Sequence, residues 1–397
     1  MFFGKTQSVS VDEKKIDELL TRGVAEVVPS ADSLKKLLMS GKRLRVKLGV
    51  DPTSPHIHLG RTVPILKLRD FQELGHQVVF IAGDFTAVIG DTSDKDAERP
   101  MLEREAIEKN MATYREQVGK ILDLSKIEFR RNSEWLAKLT YREIGEHADI
   151  FSVADFIARD NIRRRLETGK RVSLREILYP LMQGYDSVAI KADVELGGTD
   201  QRFNVLAGRP LQEHFGQPPQ HCLLFSLVVD PSGKKMSSSW GNTVNVTDSP
   251  EEMFGKVMAI PDTLVEQYFI SMTRTPLAEV RALLVGHPKE AKMSLAEEVV
   301  RMYHGDEAGA KARKNFNAAF SEGKEPENVQ EIPLVGGIRS SMVGARVVAS
   351  NSEFARLAEQ GAIRVVGTDE KITDPMAEPV GEVIRIGKHR FVKMVKK

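Results

Sequence analysis

Two short segments combine cations, hydroxyls and glycine in ways that suit phosphate groups. His56, His58, Gly60 and Arg61 stand between a predicted strand and a predicted helix. A helix start attracts anions, because its free backbone N–H groups and positive dipole end point outward. Residues 234–239 follow a predicted buried strand and offer two lysines and three serines that could clamp a polyphosphate. For the first segment the alternatives are a histidine pair that binds a metal ion and two solvated loop histidines, and for the second segment the alternative is an ordinary Ser/Lys surface loop.

A polar stripe follows one predicted helix. Ser173, with Glu176 three residues later, has the spacing of a capping box and predicts the helix start. Tyr179, Gln183 and Asp186 are spaced i, i+4 and i+7, so they share one helical face. A solvated face is the alternative, but this stripe contains an aromatic residue and no lysine or arginine. The composition therefore favours a pocket.

Residues 197–201, Gly-Gly-Thr-Asp-Gln, read as a tight turn from a strand into a helix. In open α/β folds, ligands bind at the carboxyl ends of sheet strands. An ordinary capped turn is the alternative. The position predicts that Gly198, Asp200 and Gln201 lie beside a ligand.

The last thirteen residues are strongly basic. From residue 385 to the end there are six lysines and arginines and no acid, with an aromatic residue among them. Such a patch is typical of binding to a nucleic-acid backbone, although a solubilising tail is the alternative. We expect contacts from Arg385, Lys388, Arg390 and Lys393.

The elements that must position these residues alternate along the first half of the chain. Residues 45–50 and 78–81 read as strands around a helix at 59–71, and 101–122 read as one long charged helix. Further strands are predicted at 193–196 and 223–229. Strand–helix–strand spacing of this kind predicts an α/β fold with a doubly wound parallel sheet.

Composition limits the class of protein. A chain of 397 residues exceeds one usual hydrophobic core, so we expect two or three domains. With 41% hydrophobic and 28% charged residues, it is neither disordered nor fibrous. The single cysteine, Cys222, allows neither a disulfide nor a Cys-rich zinc site, which favours a reducing compartment. No signal-peptide pattern or membrane-length apolar run is present, so we expect a cytoplasmic protein without membrane contact.

Taken together, the motifs resemble the bacterial tyrosyl-tRNA synthetases, a family of class I aminoacyl-tRNA synthetases. Residues 51–53 with 58–60 (Asp-Pro-Thr, then His-Leu-Gly) are similar to the family's first signature, and 235–239 (Lys-Met-Ser-Ser-Ser) to its second. Residues 89–99 are similar to a segment beside tyrosine and ATP, and residues 179–186 and 197–201 to the tyrosine and ribose contacts. The tail from about residue 334 resembles the S4-type RNA-binding module. The resemblance covers nearly the whole chain.

The resemblance implies two steps, in which tyrosine and ATP form tyrosyl-adenylate and the tyrosyl group then passes to the 3′ end of tRNA(Tyr). It implies Mg²⁺ accompanying ATP, no metal site of the protein's own and a homodimer. The residues it places in catalysis are His58, Gly60, Arg61, Lys95, Arg99, Lys235, Ser237 and Ser238. Those it places at tyrosine are Lys47, Asp91, Tyr179, Gln183, Asp186 and Gln201. Those it places at ATP are Asp51, Thr53, His58, Gly60, Gly198, Asp200, Lys235 and Met236.

The resemblance also implies a domain order. A Rossmann-like catalytic domain would span 1–230, with a dimer-contact insertion at about 113–187. The signature loop and a helical anticodon-side domain would span 231–320, followed by an acidic linker at 321–333 and an S4-like α+β domain at 334–397.

Three positions depart from the family pattern. Arg61 stands where the first signature usually has histidine, Ser238 replaces a second lysine, and Lys47 occupies the position of a tyrosine that contacts the substrate hydroxyl. A synthetase-derived RNA-binding protein with reduced or lost catalysis is therefore one alternative, and a small-molecule nucleotidyltransferase is another. The retained set of tyrosine-pocket residues opposes the first alternative, and the RNA-binding tail opposes the second.

Overall fold

A computed structural model describes residues 8–91, 101–228, 243–321, 329–345, 347–366, 368, 370–387 and 390–396. The chain divides into two compact units. One comprises Met1–Thr247 with Thr263–Val280, and the other Asp248–Asp262 with Arg281–Lys397. Within the described ranges, no helix is long and apolar enough to cross a membrane.

The first unit is built on a six-stranded sheet. Its strands are β1 (Val24–Val28), β2 (Arg45–Val50), β3 (Gln77–Ala82), β4 (Ile127–Arg131), β5 (Val194–Gly198) and β6 (His221–Phe225). They lie in the order β1-β6-β5-β2-β3-β4, and every neighbouring pair is parallel except β1 with β6. The predicted doubly wound α/β fold is confirmed. The antiparallel edge strand β1 and the edge strand β4 are additions that the sequence analysis missed.

Helices flank both sheets of the chain. They are α1 (Glu13–Thr21), α2 (Ala31–Met39), α3 (Leu59–Glu73), α4 (Thr86–Ile89), α5 (Arg104–Met111), α6 (Tyr114–Gly119), α7 (Ser133–Leu136), α8 (Tyr141–Asp149), α9 (Val153–Ile157), α10 (Asp160–Glu167), α11 (Leu174–Ile190), α12 (Arg202–Leu206), α13 (Gly208–His214), α14 (Pro250–Met258), α15 (Val265–Met272), α16 (Leu277–Val285), α17 (Pro288–His304), α18 (Asp306–Ser321), α19 (Ile338–Gly344) and α20 (Asn351–Glu359). The division between the units falls inside α16.

The prediction of one long helix at 101–122 is wrong, because the chain forms α5 and α6 with a break between them. Thr113 at the break and Gln117 in α6 bind the loop that leads into α3. The Thr113 hydroxyl donates to the Pro55 carbonyl at 3.0 Å, and Gln117 Oε1 accepts from Ile57 N–H at 2.8 Å. The break therefore holds the first signature in place, a long-range role that local helical periodicity does not reveal.

The second unit contains α14, α17 and α18 and a smaller sheet. Its strands are β7 (Gln330–Leu334), β8 (Ile363–Val365), β9 (Val383–Ile386) and β10 (Arg390–Lys396), in the order β7-β10-β9-β8. Ile338, Phe354, Ile384 and Met394 are among the buried side chains of a separate core beneath this sheet. The predicted linker at 321–333 is wrong at its C-terminal end, because β7 pairs in parallel with β10 there.

Candidate active site

A cavity of about 520 Å³ opens at the carboxyl ends of the parallel strands. The connections run outward in opposite directions from β2 and β5, and open α/β sheets bind ligands at such a switch point. Twelve of the predicted site residues line this cavity. They are Asp51, Thr53, His58, Gly60, Arg61, Asp91, Tyr179, Gln183, Asp186, Gly198, Asp200 and Gln201.

The helix α11 brings the predicted polar stripe into this cavity. Ser173 and Glu176 form the predicted capping box at its start. Tyr179 and Asp186 are buried and Gln183 is half-buried, and all three line the cavity. The prediction of a pocket face rather than a solvated face is confirmed.

Asp186 is a buried hydrogen-bond acceptor at the cavity wall. Its Oδ1 accepts from the Trp135 indole Nε1 at 2.7 Å, and its Oδ2 accepts from Asn132 Nδ2 at 3.4 Å. Burial raises the pKa of Asp186 to about 7, although the Lys47 charge and these two donors act in the opposite direction. The site can therefore present a carboxylate acceptor at neutral pH and lose it on mild acidification.

A chain of hydrogen bonds connects Asp186 to Tyr179. Asn132 Nδ2 donates to Thr86 Oγ1 at 2.9 Å, and the Thr86 hydroxyl donates to Asp51 Oδ1 at 2.7 Å. The Tyr179 hydroxyl donates to Asp51 Oδ2 at 2.9 Å. Burial, followed by the Asp51 charge, raises the pKa of Tyr179 well above its ordinary value, so its hydroxyl stays protonated.

Gly83 permits this arrangement. A Cβ at residue 83 would lie 2.1 Å from Asp51 Oδ1 and 2.4 Å from Thr86 Oγ1. No side chain fits there without moving both groups. The glycine is therefore required by the close approach of the Asp51 carboxylate.

A second polar group lies where β5 turns into α12. Gln201 Nε2 donates to Asp91 Oδ2 at 2.8 Å, and Asn204 Nδ2 donates to Gln201 Oε1 at 3.0 Å. Gly198 lets the Asp200 carboxylate approach the backbone, since a Cβ at residue 198 would lie 2.4 Å from Asp200 Oδ1 and would displace it. The turn thus places two carboxylates and an amide at one edge of the cavity.

Lys47 does not lie where the sequence analysis placed it. Its side chain is fully buried, and it does not line the cavity. Its Nζ lies 3.0 Å from Glu195 Oε1 and donates to the Gln183 carbonyl and to Ser187 Oγ, both at 2.8 Å. The placement of Lys47 among the residues that contact tyrosine is therefore wrong, because its side chain lies behind the cavity wall.

The first signature lies at the start of α3. His58 is the N-cap residue, and Gly60 and Arg61 belong to the first helical turn. The Arg61 guanidinium donates to the Tyr114 hydroxyl at 2.9 Å and to Thr53 Oγ1 at 2.7 Å. Because Thr53 accepts from Arg61, its own hydroxyl proton can point at an anion. Arg61 thus links the two halves of the signature.

The second signature lies outside the described residues, and so do Lys95, Arg99, Lys235, Met236, Ser237, Ser238 and Lys388. The chain that follows the second signature is described. Val244 O accepts from Leu59 N–H at 2.8 Å, and Val246 N–H donates to Ile57 O at 3.0 Å. Residues 244–246 are therefore fixed beside the first signature.

Metal ligands do not cluster in the described part of the chain. No three histidine, cysteine, aspartate or glutamate side chains in it lie close enough to hold a metal ion. This includes the histidines of the first signature. The histidine-pair alternative therefore has no third ligand among the described residues.

The predicted basic residues of the small sheet divide between its two faces. Arg364 lies opposite Arg385, and Arg385 lies opposite Phe391, so these three form a row across three strands. Lys393 shares their face because it follows Phe391 by two residues. Arg390 points to the other face and pairs with Glu353 at 3.0 Å. Lys393 pairs with Glu331 at 3.1 Å, an acid that the local sequence does not reveal.

Several side chains at the site were missed by the sequence analysis. Asn132 and Trp135 follow the unpredicted strand β4, and Thr86, Glu195 and Asn204 lie within or beside segments that were recognised only by their motifs. An asparagine directly after a strand, aligned with the ends of its neighbours, is the one signal that could have found Asn132.

Comparisons with known proteins all point to one family. The family model described as tRNA synthetases class I (W and Y) matches residues 39–321. The tyrosine–tRNA ligase of Moorella thermoacetica is 43% identical over 409 residues, covering 99% of this chain and 98% of that protein. The tyrosine–tRNA ligase of Oleidesulfovibrio alaskensis is 44% identical over 389 residues, covering 95% of this chain and 97% of that protein.

Solved structures support the same fold. A C-terminally truncated mitochondrial tyrosyl-tRNA synthetase from Coccidioides posadasii matches with a TM-score of 0.64 and 24% identity, covering 78% of this chain and 92% of that one. The tyrosyl-tRNA synthetase of Archaeoglobus fulgidus, solved with L-tyrosine, matches with a TM-score of 0.59 and 24% identity, covering 77% of this chain and 100% of that one.

Proposed function

The chain belongs to the class I tRNA synthetases for tryptophan and tyrosine, and on that premise we propose that its reaction is the ligation of tyrosine to tRNA. The observation that carries the choice of tyrosine is the buried Asp186 acceptor, held by Trp135 and Asn132 at the cavity wall. A phenol hydroxyl can donate to this carboxylate. Phenylalanine offers this carboxylate no donor, so binding it would bury the remaining acceptor lone pairs without a partner, which is a costly mismatch.

The first step forms tyrosyl-adenylate. A tyrosine carboxylate oxygen attacks the α-phosphorus of ATP, the bond to the bridging oxygen breaks, and pyrophosphate leaves. The protein forms no covalent bond in this step, so catalysis rests on positioning and on stabilising charge. In the second step a hydroxyl of the terminal tRNA ribose attacks the tyrosyl carbonyl, and AMP leaves.

The amino-acid end of the cavity supplies oxygen acceptors for an ammonium group. Asp91, Tyr179 and Gln183 line this part of the cavity, and Gln201 holds Asp91 at 2.8 Å. In this proposal these groups orient the tyrosine amino group, so that its carboxylate faces the α-phosphorus. Each of the three is held by a hydrogen bond to another protein residue before substrate arrives, which lowers the entropic cost of binding.

The nucleotide end is the start of α3. His58 and Gly60 would approach the phosphates, and Arg61 would stabilise negative charge directly or through Thr53. Asp200 beside Gly198 would accept from the ribose hydroxyls. Mg²⁺ is proposed to enter with ATP as a complex and to neutralise phosphate charge there.

RNA binding is assigned to the small sheet of the second unit. The half-buried row of Arg364, Arg385 and Phe391, with Lys393 on the same face, combines cations with an aromatic ring. The Lys393 ion pair is exposed and therefore weak, so a phosphate can replace its carboxylate partner. Because tRNA charging supplies translation, the proposal also places the protein in the cytoplasm.

A homodimer is part of the proposal. Region 113–187 presents several large apolar side chains to solvent: Tyr141 at 94%, Leu174 at 77% and Val153 at 62% exposure. Exposed apolar groups grouped in one region are typical of a contact with another chain. Leu174→Asp should shift the sedimentation coefficient from dimer to monomer, whereas Val285→Asp, at an equally exposed residue of the second unit, should not.

Exchange of labelled pyrophosphate into ATP tests the proposed first step. We expect exchange that depends on tyrosine, whereas exchange driven by tryptophan would overturn the choice of substrate. Removing residues 329–397, which carry their own core, should leave this exchange intact and weaken tRNA charging. Loss of both activities would contradict the assignment of RNA binding to that part.

A further inference from the structure

A fully buried ion pair lies directly behind the cavity. Lys47 on β2 and Glu195 on β5 face each other across the two parallel strands, with Nζ 3.0 Å from Oε1. Their side chains are 0% and 1% exposed, respectively. Neither residue lines the cavity, so neither can touch a ligand there.

Glu195 joins the pair to a residue that does line the cavity. Its Oε1 accepts from Gln183 Nε2 at 3.0 Å. Its Oε2 accepts from Ser187 Oγ at 3.0 Å and from Gln220 Nε2 at 2.5 Å. Lys47 holds the same helical turn from the other side, because it donates to the Gln183 carbonyl at 2.8 Å.

This network decides which way the Gln183 amide points. An ionised carboxylate only accepts hydrogen bonds, so the atom of the Gln183 amide that faces Glu195 must be the Nε2 donor. The amide oxygen is thereby turned away from Glu195, and Gln183 lines the cavity. Among the described residues, none donates to that oxygen. An acceptor in the cavity favours an ammonium group, whereas a flipped amide would present N–H groups and repel it.

We infer that Glu195, held by Lys47, is a positioning residue that fixes the Gln183 amide oxygen towards the amino group of the bound amino acid. The inference rests on the proposed function, since it takes an amino acid to be the ligand. It explains why a lysine stands at residue 47 without touching substrate. It also makes recognition of the amino group depend on two residues outside the cavity.

The test removes both charges together, because removing one would leave the other buried and unpaired, which would destabilise the fold. The variant is K47M/E195M, two replacements of similar volume. Its binding of two phenols is measured by calorimetry. Tyrosinol carries the amino group, and 3-(4-hydroxyphenyl)propan-1-ol lacks only that group.

We expect the dissociation constant of tyrosinol to rise roughly 10- to 150-fold, the range for one hydrogen bond to a charged group. The constant of the desamino compound should change less than about threefold, because its phenol site is untouched. K47M/E195Q, which keeps an acceptor for Gln183 Nε2, should recover part of the tyrosinol affinity. In a Gln183→Met background, the loss caused by K47M/E195M should largely disappear.

K67M is the matched control for general damage. Lys67 is also buried, and it donates to the Leu19 and Arg22 carbonyls away from the cavity. This variant should lower the unfolding temperature and leave the ratio of the two dissociation constants unchanged.

Equal weakening of both phenols in K47M/E195M would overturn the inference, because it would mean a structural role alone. Unchanged tyrosinol binding would overturn it as well. If the unmodified protein shows tyrosine-dependent pyrophosphate exchange, either of these results would overturn the inference alone and leave the proposed function unaffected. Absence of that exchange, with neither phenol bound, would overturn both.

Discussion

Replacing Asp186 by asparagine tests how the cavity recognises a phenol hydroxyl. The carboxylate accepts from Trp135 at 2.7 Å and from Asn132 at 3.4 Å, and its remaining lone pairs are available to a substrate. An asparagine has a single acceptor oxygen, which the indole would occupy. Its amide N–H groups would then face the substrate, so the phenol would lose a charged acceptor.

The size of the effect follows from that lost hydrogen bond. A bond to a charged group contributes about 1.5–3 kcal/mol, so kcat/KM for tyrosine in pyrophosphate exchange should fall roughly 10- to 150-fold. The value for phenylalanine should change less than about threefold, because it makes no such bond. Discrimination between the two amino acids should fall accordingly.

The same substitution has a pH-dependent effect on stability. The pKa of Asp186 is about 7 in the folded protein, against an ordinary value of 3.8. A raised carboxyl pKa means that the folded state binds the proton more tightly, so this group costs stability increasingly as pH rises from about 4 to about 7. At about 1.4 kcal/mol per pH unit, the cost reaches roughly 4 kcal/mol above pH 7.

Asp186→Asn removes that cost. Urea denaturation should therefore show the variant gaining stability relative to the unmodified protein between pH 5 and pH 8. Asp193→Asn, at the opposite end of the sheet, is the control and should leave the selectivity for tyrosine unchanged. Equal losses for tyrosine and phenylalanine, or a stability difference independent of pH, would refute the reasoning.

Three further predictions concern the groups around this acceptor. Trp135→Phe removes a donor that lowers the pKa of Asp186, so Asp186 should become protonated at a higher pH. In exchange assays from pH 6 to 9, the rise of the tyrosine KM on acidification should therefore begin at a higher pH than in the unmodified protein. An unchanged pH profile would contradict this role of Trp135. Arg61→Lys loses two hydroxyl contacts, so KM for ATP should rise about 2- to 10-fold with tyrosine KM unchanged, as exchange kinetics would report. Gly83→Ala places a Cβ 2.1 Å from a carboxylate oxygen and should lower the free energy of unfolding by about 1–3 kcal/mol, as urea denaturation would show. Gly145→Ala is the control, because its Cβ meets nothing within 4 Å and should cause no such loss of stability.

The sequence predicted those parts of the fold whose patterns are local. Strand β2 was predicted at its observed bounds, and α3 and β3 within two residues of theirs, because strand and helix periodicities are distinct and turn residues separate them. The stripe on α11 was recognised because Tyr179, Gln183 and Asp186 share a helical face whatever surrounds the helix. Most of the polar side chains that line the cavity were therefore predictable from motifs and spacing, whereas most of its apolar lining was not.

What the sequence did not predict depends on contacts between distant segments. Asn132 reaches Asp186 only because β4 ends beside β3, and β4 itself is short and polar. Glu195 lies behind the cavity because of its register with Lys47, which no single segment reveals. The break between α5 and α6 likewise reflects binding to another loop. These positions are fixed by tertiary packing, so propensity and periodicity gave no signal for them.

Charging of tRNA with labelled amino acids measures the proposed reaction itself. The full chain, with ATP and Mg²⁺, is expected to esterify tyrosine to tRNA and to give no charging with phenylalanine or tryptophan. Charging with tryptophan in place of tyrosine, or no charging with any of the three, would contradict the proposed function.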